Sequence, residues 1–96
     1  MDKTYIASLC YQGLLGGALF LDDERVTYRT EKLQVPPEIR NLALPFCRIK
    51  NVEKSKALFL PTLTIQMSDG NAWKFIVFGR DSFLSNLKTA ITAYFA

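Results

Sequence analysis

The chain has 96 residues, 49% of them hydrophobic, with 12 basic and 9 acidic side chains for a net charge of +3. That length suits one domain burying roughly 60–65% of its unfolded surface, and so small a basic surplus does not by itself imply nucleic acid. There is no histidine, which removes the commonest general base and metal ligand.

Cys10 and Cys47 stand 37 positions apart with no CxxC partner for either. They read as buried thiols of a cytosolic protein rather than a disulfide, and zinc is not expected. Residues 1–21 superficially resemble a signal peptide. Asp2 offsets Lys3, however, Ser8 and Gln12 interrupt the apolar run, and no small-residue cleavage site precedes Asp22. The cleanest apolar run, 13–21, is far short of the ~20 residues of a spanning helix. The expectation is a soluble, cytoplasmic chain.

In chain order, 4–11 is rich in β-branched and aromatic residues and reads as a first strand, and 12–16 as a glycine-punctuated turn. Residues 17–21 and 25–30 form a hairpin around 22–25, whose four-residue loop pairs Leu21 with Val26 and Leu19 with Tyr28. Residues 31–40, carrying Pro36-Pro37, read as a loop, and 41–44 as a short strand ended by Pro45. Residues 48–53 form another strand with Ile49 and Val52 inward, an odd spacing that calls for a bulge or a turn. Residues 54–60 read as a loop, unusually apolar at Leu58-Phe59-Leu60.

The stretch from Pro61 onward carries the clearest pattern. Leu63, Ile65 and Met67 alternate with Thr62, Thr64 and Gln66, the period of a half-buried strand. Trp73, Phe75 and Val77 share one face of the next strand. A three-residue loop with Gly70 left-handed sets Ile65 opposite Trp73 and Leu63 opposite Phe75, keeping the apolar face continuous. From 82 to 95 the period changes: Phe83, Leu84, Leu87, Ile91 and Tyr94 with Phe95 make one helical stripe, with Asp81 or Ser82 as N-cap. Such a helix must bury its stripe on the preceding sheet. Its outer face carries little charge, mainly Lys88.

Seven short antiparallel strands closed by one helix resemble the pleckstrin-homology superfold, and the details resemble its GRAM branch, including small bacterial versions. The resemblance rests on Gly17-x-Leu19-x-Leu21, Arg25-Val26-x-Tyr28, Leu42-x-Leu44-Pro45 with Ile49 and Val52, Leu63-x-Ile65-x-Met67-Ser68-Asp69-Gly70, Phe75, and the helix over 80–91. It covers residues 4–95, with Asp22 standing where a threonine is usual. It implies a seven-stranded antiparallel barrel or orthogonal sandwich capped by a C-terminal helix. It also implies a non-catalytic adaptor for phosphoinositides, membranes or proteins. In phosphoinositide-binding members the basic cluster lies on and between the first two strands. Here that loop, residues 10–16, holds no cation, which argues against a site of that type.

Residues 13–17 are not GxGxxG and do not open a helix, so no nucleotide loop is read there. Asp22-Asp23-Glu24 lacks calcium-loop spacing and reads as a solvated hairpin tip. The serines have no base to activate them. No catalytic residue, metal or cofactor is expected. The candidate interaction residues are Arg48, Lys50, Lys54, Lys56 and Phe59. At period 2 the four cations make a basic stripe broken by Val52. The stripe is either the solvated face of an edge strand, where lysines discourage pairing, or a contact for anionic lipid or an acidic protein. Phe59 either dips into an interface or plugs the barrel mouth. The function expected is a non-enzymatic protein-interaction or scaffold module with no nucleic-acid partner. The alternative is peripheral membrane association through residues 48–56 and Phe59. The oligomeric state is left open.

Overall fold

The computed structural model describes residues 2–57 and 60–96, and of Lys56 and Ala57 the backbone only. Seven strands run β1 Lys3–Cys10, β2 Leu14–Leu21, β3 Arg25–Arg29, β4 Asn41–Pro45, β5 Ile49–Ala57, β6 Leu60–Met67 and β7 Ala72–Val77. A short helix α1, Pro37–Arg40, precedes β4, a 3₁₀ turn Phe46–Arg48 precedes β5, and helix α2, Arg80–Tyr94, follows β7. The class is mainly β with one long helix. The strands form one antiparallel sheet in the order β4-β3-β2-β1-β7-β6-β5, so β4 and β5 are its two edges.

Alternation places the core on one face of this curled sheet. Leu9, Leu19, Tyr28, Leu63, Ile65, Phe75 and Val77 are fully buried there, and Phe83 and Leu87 of α2 close over them. Burying such side chains contributes about 1.5–3 kcal/mol each. Two further contacts tie α2 to β1: Tyr5 meets Phe83 edge-on at 5.1 Å, and Asn86 Nδ2 donates to Tyr5 Oη at 2.6 Å.

Both predicted hairpin registers are observed. Ile65 pairs with Trp73 and Leu63 with Phe75, with Gly70 at φ 95°. Leu21 pairs with Val26 and Leu19 with Tyr28; the Asp22 carboxylate accepts the Glu24 and Arg25 amides at 2.8 Å and fixes that turn. The register of β5 on β6 shifts between Ile49 and Asn51, so one extra residue, Lys50, turns Ile49 and Val52 to the same side.

Elsewhere the structure corrects the sequence reading. β2 starts at Leu14, because the turn uses only 11–13, with Gln12 at φ 51° and Gly13 at φ 111°. Residues 14–16 thus join Gly17 in the strand, and at Gly17 a Cβ would fall 2.2 Å from the Arg29 carbonyl oxygen. That glycine leaves room for Tyr28, whose hydroxyl donates to the Leu15 carbonyl. The expected loop after Pro36 contains α1, with Pro37 in its first turn and Ile39 buried. The expected loop over 54–60 is strand as far as Ala57 and again from Leu60. The helix begins at Arg80, and its cap is neither Asp81 nor Ser82. Gly79, at φ 78°, turns the chain out of β7, and its carbonyl accepts the Phe83 amide at 2.9 Å. Both cysteines are free and exposed, not buried. Of the helical stripe, Phe83 and Leu87 are buried, while Tyr94 and Phe95 are exposed against Phe46 and each other.

Candidate interaction groove

Of the five predicted site residues, the three whose side chains are described, Arg48, Lys50 and Lys54, sit in different local settings. Arg48 is exposed but sits in the 3₁₀ turn, where its carbonyl accepts the Ser68 amide at 2.8 Å. Lys50 is exposed at the bulge. Lys54 pairs with Leu63 in register, placing its side chain on the core-facing side beside Val52, which pairs with Ile65. There it turns toward α2, with Nζ 3.8 Å from Asp81 Oδ1. Among the described residues, the bulge thus breaks the period-2 spacing on which the basic stripe rested. The Lys56 side chain and Phe59 lie outside the described residues.

What the fold assembles instead is a groove between the β5 edge and α2. Val52, Lys54, Asp81, Leu84, Ser85 and Lys88 line about 390 Å³ of open space. Val52 and Leu84 are half-buried apolar flooring, with Lys54 and Lys88 on the rim. Two cations face Asp81, so the groove is weakly positive.

Arg80 holds its walls together. Its Nη1 donates to the Ser55 carbonyl at 2.7 Å and to the Thr62 carbonyl at 3.2 Å, and its Nε lies 3.8 Å from Asp81 Oδ1. A charged donor bonded to two strands fixes the start of α2 above the β5–β6 hairpin. The open flank of β5 is only lightly covered. The Val52 amide donates to the Asn51 side-chain oxygen at 2.9 Å, not to a neighbouring strand. In an antiparallel ladder alternate residues turn their backbone groups outward, so the Lys54 amide faces the same flank.

Leu84, Ser85 and Lys88 were not read as site residues from the sequence. Their signal in the sequence was Lys88, the main charge on the outer face of the helix. Among the described residues no group of three His, Cys, Asp or Glu is placed to hold a metal ion, and no helix is long and apolar enough to cross a membrane.

No family model and no curated protein matches the chain. Among solved structures it is similar to the crystal structure of the C-terminal domain of an unknown protein from Leishmania infantum. The TM-score is 0.77 at 14% identity, covering 94% of this chain and 82% of that one. At that identity the likeness concerns the fold.

Proposed function

We propose that the protein is a pleckstrin-homology-like, GRAM-type module without enzymatic activity that binds an extended segment of a partner protein along β5. The observation that carries this reading is the coincidence of an unpaired sheet edge with the groove beside it. A strand added to an edge gains main-chain hydrogen bonds, and its alternate side chains enter whatever pocket flanks that edge. Here the Val52 amide would exchange its Asn51 partner for a backbone carbonyl. Apolar side chains of the segment would lie on Val52 and Leu84, and acidic ones against Lys54 and Lys88. The peripheral-membrane alternative has less support, because Arg48, Lys50 and Lys54 do not point the same way.

Selection of phage-displayed random peptides on the immobilised protein tests this. Enriched peptides are expected to be extended and acidic, to shift the amides of 51–55 and 84–88, and to lose affinity in Leu84→Lys and Lys88→Glu. Enriched peptides that shift another surface would refute the β5 reading. Low-salt sedimentation with anionic vesicles, abolished by Arg48→Glu, Lys50→Glu and Lys54→Glu together, would favour the membrane reading. The Debye length falls from ~10 Å at 0.1 M to ~3 Å at 1 M, so that binding should vanish in salt.

A further inference from the structure

On the other face of the sheet, far in register from the β5 groove, β2, β3 and the chain from Thr30 to Asn41 enclose an open cavity of about 690 Å³. Its floor is the backbone of 16–18, where Gly16 has nothing within 4 Å of the position of a Cβ. One wall pairs a guanidinium with an aromatic ring: the Arg29 guanidinium carbon lies over Phe20, 5.4 Å from the ring centre, and Arg29 Nε donates to Asn41 Oδ1 at 3.2 Å. That bond uses one of the five guanidinium donors and leaves both Nη groups free to serve a ligand.

The rest of the lining supplies charge. Lys32 and Arg40 also line the cavity, with Glu31 next to Lys32 in sequence. Neither cation has an ion-pair partner among the described residues, and Arg40 Nε is withdrawn from solvent without an acceptor. Three cations against one carboxylate concentrate a local charge of +2 in a chain whose total is +3. Side chains placed so without acceptors fit an anion with several oxygens, and guanidinium groups suit phosphate in particular.

We propose that this cavity binds a phosphorylated compound with a planar ring, of the nucleoside phosphate class. The ring stacks on the Phe20–Arg29 platform, as bases stack on aromatic and guanidinium planes. The phosphate groups are taken by Lys32 and Arg40, and Glu31 accepts from a sugar hydroxyl. The volume lies within the range of small-molecule sites. An inorganic anion would leave the platform unused. This inference stands independently of the β5 groove, on different strands and different residues.

The test is an amide-shift titration of the full chain at fixed ionic strength with three probes: adenosine diphosphate, inositol trisphosphate and inorganic pyrophosphate. Adenosine diphosphate is expected to shift 16–20 and 29–41 saturably at millimolar concentrations or below. Lys32→Gln with Arg40→Gln should weaken it about tenfold or more, the scale of one lost charge-assisted bond. Phe20→Leu should weaken adenosine diphosphate several-fold while leaving pyrophosphate unchanged, a difference that damaged folding would not produce. No saturable shift with adenosine diphosphate would overturn the proposal. So would inositol trisphosphate binding at least as tightly, or a Phe20→Leu variant that binds adenosine diphosphate like the parent.

Discussion

Gly16 and Gly17 are adjacent in β2, yet alanine should have opposite effects at the two positions. At Gly17 the new Cβ would sit 2.2 Å from the Arg29 carbonyl oxygen, 2.9 Å from the Tyr28 hydroxyl and 3.0 Å from Tyr28 Cε1. Carbon–oxygen contacts between strands run near 3.3–3.6 Å, so β2 and β3 must part by about 1 Å. Overpacking of this kind costs roughly 1–3 kcal/mol. Displacing Tyr28 from the Leu15 carbonyl strands a buried hydroxyl for about 1–3 kcal/mol more. A total of about 2–6 kcal/mol is a large part of the ~5–14 kcal/mol expected for a domain of this size. At Gly16 a Cβ meets nothing within 4 Å and the backbone is not left-handed. There alanine should be neutral or add about 0.4–1 kcal/mol through the unfolded chain. Urea denaturation reads both. With a slope near 1–2 kcal/mol per molar, Gly17→Ala should lower the midpoint by about 1 M or more, while Gly16→Ala leaves it level or raises it. Adding Tyr28→Phe to Gly17→Ala removes the 2.9 Å contact but not the 2.2 Å one, so recovery should be partial. Equal midpoints for the two single variants would refute the argument that Gly17 is there to let the strands approach.

Three other outcomes follow from the packing. Leu87→Ala, at the buried centre of α2, should cost roughly 2–5 kcal/mol, and an unchanged denaturation midpoint would mean that the helix does not hold the sheet. Gly70→Val should cost on the order of 1–2 kcal/mol, because φ 95° at that turn is hostile to a β-branched residue; a variant as stable as the parent would count against the bulged register. Burial pushes the Tyr28 phenol above its ordinary 10.0, partly offset by its hydrogen bonds. The folded state therefore favours the protonated phenol. The stability this provides is complete below pH 10 and is lost as pH rises through the higher folded value. Thermal melts at increasing alkaline pH should show that loss in the parent and less of it in Tyr28→Phe; identical slopes would show that other groups govern the alkaline limit.

The sequence disclosed the parts of the fold in which turn chemistry and alternation agree. Asp22 and Gly70 sit where their turns need them, and the leucine and phenylalanine spacing around each admits one register. It also disclosed the β5 bulge, because Ile49 and Val52 cannot both face inward on a regular strand. It misled where a residue type serves two purposes. Gly16 looks like part of a turn, but it lies within β2, beside the Gly17 whose missing side chain makes room for Tyr28. Lys54-Ser55-Lys56 looks like a loop, yet an edge strand tolerates polar residues on both sides. Gly79 both ends β7 and, through its left-handed backbone, starts the helix, so the cap does not carry the side chain that Asp81 or Ser82 would offer. The groove was the least legible part. It joins Val52 and Lys54 to Leu84 and Lys88, roughly thirty positions away, and only the docking of α2 brings them together. Phe20, Arg29 and Arg40 meet for a similar reason, through the β2–β3–β4 meander.

The position of β1 in the middle of the sheet governs when the molecule can become itself. Ala7 pairs with Val77, so the first strand has one neighbour early and waits seventy residues for the other. Closing so long a loop carries an entropic penalty that grows with the logarithm of its length, and dominance of distant pairings slows folding. A chain emerging from the ribosome at about 5–20 residues per second therefore spends several seconds with β1 open along one side. In that interval the N-terminal meander is complete in sequence but lacks the strand and helix that cover it, which is when a chaperone or an identical nascent chain would find an unoccupied edge.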